Sequence, residues 1–98
     1  MKGLKVFKAH YKIMKDNATI VSVTDYSDDM ESLMKVVNSH VTQSYQGNKE
    51  IAKIDIKELE GIEQAMKHVK KDFAKYGTLP VFRDGLEHYQ SLADDIVT

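Results

Sequence analysis

The segment LEGIEQAMKHVKKDFAKY, residues 59–76, decides the fold expected of this chain. Its large apolar side chains recur three and four positions apart, so they lie on one side of an α-helix: Leu59, Ile62, Met66, Val69, Phe73 and Tyr76. Gly77 follows where a left-handed C-terminal cap would end the helix. A helix with so one-sided an apolar stripe must bury it, and we therefore expect a packed globular domain.

Composition bounds the class of protein. The 98 residues suffice for a single domain, residues 1–98, and 42% of them are apolar while 30% are charged, as in an ordinary globular fold. No apolar run approaches the roughly 20 residues of a membrane-spanning helix. Lys5, Lys8 and His10 interrupt any signal-peptide core, so we expect a cytoplasmic protein without a membrane partner. The absence of cysteine excludes disulfides and thiolate chemistry.

The charge pattern argues against a strong attraction to nucleic acid. The net charge is −1, and thirteen of the fourteen basic residues are lysine. Base and phosphate recognition favours the planar fork of arginine, which occurs once. The lysine-rich usage suggests an AT-rich genome, as in a bacterial or phage accessory protein.

Residues 4–26 predict a β-hairpin. Two stretches rich in β-branched and aromatic residues flank Asp16-Asn17, both of which tolerate the positive φ of a two-residue turn. This turn would place Ile13 opposite Ile20 and Phe7 opposite Tyr26, with these residues on the core face. A three-residue loop would exchange the two faces of the hairpin.

The first predicted helix follows the hairpin. Asp28 and Glu31 have the spacing of a capping box, and Gly47-Asn48 would end the helix. Its buried stripe would comprise Met30, Leu33, Met34, Val37, Val41 and Tyr45.

The second half of the chain contains one ambiguous segment. Residues 50–57 alternate as a strand does, although a helical reading also fits, and we prefer the strand. The helix of the opening segment would then run from about Lys57 to Tyr76, with Asp55 and Glu58 as its capping box. Residues 78–82 would form an extended connector because of Pro80. Asp84 and Glu87 would open a last helix with four inward side chains: Leu86, Tyr89, Ala93 and Ile96.

The predicted fold is of the α+β class, a β-hairpin plus third strand in the order ββαβαα. We expect a small, mostly antiparallel sheet with helices packed on one face. The other face of the hairpin would be exposed and would dock a protein partner or a second copy of the chain, giving a homodimer. The interface candidates are Val6, Lys8, His10, Lys12, Met14, Val21 and Val23. A free hairpin edge is a second route to self-association.

Other residue groups give weaker signals. Lys67, Lys70, Lys71 and Lys75 form a basic patch that is typical of nucleic-acid binding, or simply of a helix C-terminus. His68 with Asp72 and Asp84 with His88 have the spacing of half a metal site, but surface pairing is the simpler interpretation. The sequence contains no nucleophile elbow, phosphate-binding glycine loop or zinc-protease motif, so we expect no catalytic residues, cofactor or metal.

Three functional hypotheses remain open. The first is a small non-catalytic regulatory protein that acts through protein–protein contact, with a protein partner, with a second copy of itself, or with both. The alternatives are a weak nucleic-acid-binding protein that uses the lysine-rich hairpin, and a small-ligand-binding domain with its site between the hairpin and the helices.

Overall fold

The computed structural model describes residues 5–15, 18–46, 50–83 and 85–98. Its elements in chain order are β1 (Lys5–Lys15), β2 (Ala18–Ser27), α1 (Met30–Gln46), β3 (Glu50–Glu60), α2 (Ile62–Tyr76), β4 (Leu79–Phe82), a 3₁₀ turn (Glu87–Tyr89) and α3 (Gln90–Val97). The α+β class and the order ββαβαα of the predicted elements are confirmed, with one additional short strand.

The sheet is mixed and has the strand order β3-β1-β2-β4. β1 pairs antiparallel with both β2 and β3, and β4 runs parallel to β2. β4 corresponds to the predicted connector, and its Pro80 is tolerated because β4 is an edge strand. Since β1 lies between two strands, its edge is not available for pairing with a second copy.

The hairpin register differs from the prediction by one residue over most of its length. The pairs next to the turn, Met14 with Thr19 and Lys15 with Ala18, have the predicted register, whereas Ile13 pairs with Val21 instead of Ile20. A β-bulge thus adds Ile20 to β2 and exchanges the faces of all β2 residues beyond it. The turn residues Asp16 and Asn17 lie outside the described residues.

Helices cover both faces of the sheet, which differs from the expected arrangement on one face. On one face, Ala9 and Tyr11 of β1 pack with Leu33 and Val37 of α1. On the other face, Val6 packs in a larger core with residues of α2, β4, α3 and the segment between β4 and the 3₁₀ turn: Ala65, Val69, Phe82, Ala93 and Leu86. The stripe residues Leu33 and Val37 of α1 and Val69 of α2 are therefore buried on opposite sides of the sheet, whereas Tyr76 at the end of the α2 stripe is exposed. The side chains of Val41 and Tyr45 lie outside the described part of the structure.

The helix boundaries refine the predicted ones. α1 is capped by Asp29 rather than Asp28, since the Asp29 carboxylate accepts hydrogen bonds from the Ser32 N–H at 3.1 Å and the Ser32 hydroxyl at 2.8 Å. These bonds lower the pKa of Asp29. Asp28 instead lies against Gly85. The predicted end of α1, Gly47-Asn48, is outside the described residues.

Residues 50–57 lie in a strand, as preferred, but β3 continues to Glu60, so the predicted helix start near Lys57 and the proposed Asp55–Glu58 capping box are wrong. Leu59, predicted to belong to the helical stripe, therefore lies in β3. α2 begins after Gly61, where the Gln64 side chain accepts a hydrogen bond from the Glu60 N–H at 2.6 Å. Gly77 ends α2 in the left-handed conformation, as expected. The inward positions of the last helix are confirmed, while its proposed first cap, Asp84, is outside the described residues.

Candidate functional site

A polar cleft opens to solvent where α2 crosses β1 and β3. Its volume is about 160 Å³. Three elements contribute the lining side chains: Lys8 and His10 from β1, Asp55 and Lys57 from β3, and His68, Lys71, Asp72, Lys75 and Tyr76 from α2. The strand alternation of β1 directs its even-numbered residues to this face, and α2 presents one turn after another across them.

Lys8 forms the floor of the cleft. The residue is only 4% exposed, and its ammonium group donates to the Asp72 carboxylate at 2.7 Å and to His68 Nδ1 at 2.9 Å. His68 and Asp72 are four residues apart on α2 and therefore share a face of the helix. The Lys8 ammonium thus bridges the imidazole and the carboxylate at one point.

The Lys8 bridge argues against a metal ion between His68 and Asp72, the arrangement in which this pair would form half a metal site. The position between the two side chains is occupied by a cation of the chain itself. Within the described ranges, no group of three or more histidine and acidic side chains is placed to hold a metal ion. The second pair, Asp84 with His88, includes a residue outside those ranges.

Both histidines of the cleft are neutral imidazoles at neutral pH. Burial lowers the pKa of His68, and the nearby Lys8 charge lowers it further. Burial also lowers the pKa of His10, whose Nδ1 is 3.3 Å from the Thr24 hydroxyl. Because an ammonium group has no acceptor, His68 Nδ1 accepts from Lys8, and Nε2 carries the proton as a donor.

Tyr76 forms the rim of the cleft and is 42% exposed. The Lys75 ammonium lies 5.0 Å from its ring centroid, the Lys12 ammonium 5.8 Å, and the His10 ring 4.9 Å. A hydrogen bond to Tyr76 raises the pKa of Lys75. The aromatic ring therefore holds cations from β1 and α2 at the same side of the opening.

The structure separates the predicted interface residues. Val6 and Lys8 are buried beneath α2, His10 and Lys12 are half-buried on the same side, and Met14 is half-buried near the hairpin turn. The β-bulge moves Val23 to the opposite face, where it packs in the α1 core. The side chain of Val21 is outside the described part of the chain. These residues consequently do not form one exposed surface, because α2 covers the centre of it.

The predicted basic patch is also divided. Lys71 and Lys75 line the cleft, whereas Lys67 and Lys70 are exposed on α2 away from it. Sequence reasoning identified the His68–Asp72 spacing but missed the role of Lys8 as their common partner. Lys8 is one of four lysines in β1, so no local signal distinguished it, and its partner in the fold could not be read from spacing alone.

A second buried polar cluster has a structural role. The Asp25 carboxylate, fully buried, accepts from the Tyr11 hydroxyl at 2.6 Å and from Arg83 Nε at 3.0 Å. Burial and this hydrogen bond raise the pKa of Tyr11. The cluster joins β1, β2 and the segment after β4, and its hydrogen bonds satisfy the buried carboxylate.

The Lys8 ammonium at the floor of the cleft is bonded within the protein. Lysine becomes a nucleophile or base only when deprotonated, and the Lys8 ammonium instead donates two hydrogen bonds within the protein.

Comparison with protein families, curated proteins and solved structures found no match to this chain. Among the helices in the described ranges, none is long and apolar enough to cross a membrane.

Proposed function

We propose that this protein is a small non-catalytic binding protein whose cleft between β1, β3 and α2 holds a small polar ligand. The observation that carries the proposal is the buried Lys8 ammonium, bonded to both His68 and Asp72 at the floor of an open cleft. It develops the third of the hypotheses that the sequence suggests, a ligand site between the hairpin and the helices.

The energetics of the Lys8–Asp72 pair support a role beyond stability. Its side chains are 5% and 10% exposed, so both charges are removed from most of their water. Such a pair is often no more stabilising than apolar side chains of similar volume, because desolvation offsets the Coulombic attraction. A polar cleft built on this pair is explained more simply by recognition of a ligand than by stability of the fold.

The two other hypotheses have less support from the geometry. Docking of a partner on the reverse face of the hairpin requires Val6 and Lys8 at the surface, and both are buried. Binding along a nucleic-acid backbone requires a continuous positive surface, but the lysines of the cleft lining share it with two carboxylates, those of Asp55 and Asp72.

The test is a titration of ¹⁵N-labelled protein with small metabolites of three classes: anionic, neutral and cationic. We expect at least one class to shift the amide signals of cleft residues such as His10, His68 and Tyr76. The signals of Leu33 and Val37, on the opposite face of the sheet, serve as the internal control and should not move. If no class shifts the cleft signals at millimolar concentration, the proposal is wrong.

A further inference from the structure

We infer that the ligand of this cleft is a small oxyanion of the phosphate class, either free or as the phosphoryl end of a small metabolite. This inference rests on the proposed function and specifies the chemistry of its ligand. Three observations support it: the position of the lysines that have no carboxylate partner, the volume of the cleft, and the excess of hydrogen-bond donors over free acceptors in its lining.

The charge of the cleft is positive and is concentrated on one side. Its lining includes four lysines and two aspartates, an excess of two positive charges. Both aspartates already have partners, since Asp72 pairs with Lys8 at 2.7 Å and Asp55 with Lys57 at 4.0 Å. Among the described residues, Lys71 and Lys75 have no carboxylate within ion-pair distance. Their charges are therefore available to an anion.

The volume limits the size of that anion. The volume of the cleft is about 160 Å³. Sites for larger organic ligands usually enclose about 300–1,000 Å³. A single tetrahedral oxyanion fits within the cleft, whereas a whole nucleotide would extend outside it.

The hydrogen-bonding groups favour an oxyanion over a neutral ligand. Lys71 offers three N–H donors, Lys75 offers those not used by its hydrogen bond to Tyr76, and His68 offers Nε2–H because its Nδ1 is occupied by Lys8. Both carboxylates of the lining are already engaged with lysines. Phosphate, which accepts several hydrogen bonds and carries negative charge, matches this set.

A single phosphate group is favoured over a nucleic-acid backbone. The cations near the opening are close together around Tyr76, at 5.0 and 5.8 Å from its ring. Elsewhere in the lining the lysines are paired with aspartates, Lys8 with Asp72 at 2.7 Å and Lys57 with Asp55 at 4.0 Å, so the unpaired positive charge does not continue across the cleft. Successive phosphates of a strand would meet carboxylates on this side.

The experiment is calorimetric titration of the intact protein with inorganic phosphate at low ionic strength. The test variant is Lys71→Glu, and the matched control is Lys70→Glu, which makes the same charge change at the neighbouring exposed position outside the cleft. We expect Lys71→Glu to weaken phosphate binding roughly tenfold or more, since a charged hydrogen bond is replaced by repulsion, and Lys70→Glu to change it less than about threefold. Circular dichroism establishes that both variants fold, and Lys75→Gln provides a second test at the cleft rim.

The following results would contradict the inference or separate its failure from that of the proposed function. Equal loss of affinity in Lys71→Glu and Lys70→Glu would overturn the inference, because binding would then follow net charge rather than the cleft. A single-stranded oligonucleotide that binds with steep salt dependence, while phosphate does not bind, would overturn it in favour of nucleic acid. If only a neutral or cationic metabolite shifts the cleft signals, the proposed function stands and the oxyanion inference fails; if no class does, both fail.

Discussion

Gly77 and Gly85 both have a backbone conformation in the left-handed region, with φ of +67° and +85°. A Cβ atom at Gly77 would meet no atom within 4 Å. A Cβ at Gly85 would collide with the Asp28 carboxylate. The two positions thus separate the cost of the backbone conformation from the cost of a tertiary contact.

We expect Gly77→Ala to lower the free energy of unfolding by about 1 kcal/mol, the cost of a left-handed conformation for a residue with a Cβ. Gly85→Ala should cost about 1 kcal/mol more, the lower end of the range for overpacking, because the exposed Asp28 side chain is able to rotate. Urea denaturation measures both. Asp28→Ala in the Gly85→Ala background should recover the difference, whereas equal losses in the two glycine variants would contradict the contact.

Sequence reasoning could assign Gly77 but not Gly85, and the reason is the range of the interaction involved. The cap at Gly77 follows from the apolar stripe that ends beside it, and its N–H donates to the Phe73 carbonyl at 2.9 Å within the same turn. Gly85 is required by Asp28, which is 57 positions away in sequence. Lys8 and Asp72 show the same limit at the cleft, since the local sequence around either residue does not predict its contact with the other.

At the scale of elements, local sequence patterns predicted whether each element is a helix or a strand better than they predicted which elements it pairs with. The alternation of residues 50–57 and the stripe of α2 correctly gave β3 and most of the helix. The parallel pairing of β4 and the bulge at Ile20 were missed. A short strand containing proline resembles a loop, and a bulge depends on which face the helices cover, so neither leaves a local signal.

The Lys8–Asp72 pair joins two elements, β1 and α2, and its removal tests that junction. We expect Lys8→Met to lower the free energy of unfolding by about 3 kcal/mol, because Asp72 would remain buried without its partner. Lys8→Met combined with Asp72→Leu should return the stability to within about 1 kcal/mol of the native protein, since the uncompensated charge is gone. Chemical denaturation at pH 7.5 provides the measurement.

The matched control is the exposed pair of Lys35 and Glu31 on α1, whose side chains are 77% and 80% exposed. Lys35→Met should change the stability by less than about 0.5 kcal/mol. A Lys8→Met cost no larger than this value would show that the Lys8 side chain is not held in the buried pair. If the double variant instead loses the sum of both single losses, the two side chains do not act as a pair.

At the scale of the whole molecule, the fold has two cores separated by one sheet. α1 closes one core, and α2 with α3 closes the other. The apolar stripes of the helices determine that each is buried, but not on which face, because either face of β1 offers apolar residues. The cleft exists because α2 crosses the face that carries Lys8 and His10, so the site is a consequence of helix placement that spacing alone does not determine.

This placement makes the stability of the molecule depend on pH through His10 and His68. Burial lowers both folded-state pKa values below 6.5, so the unfolded chain binds more protons as the pH falls below that value. The charged groups that act on the two rings come from three elements: Lys8, Lys12, Asp55, Lys57, Lys71 and Asp72. The contribution of the two histidines to the free energy of unfolding should therefore be fully present above pH 6.5 and be lost progressively as the pH falls below that value. The test is thermal unfolding of His68→Asn, which retains an acceptor for Lys8. The stability of this variant should decrease less than that of the native protein as the pH falls. The control is His88→Asn, which removes an exposed imidazole outside the cleft. A decrease that is the same in His68→Asn and in the native protein would show that the His68 imidazole is not held neutral by the fold.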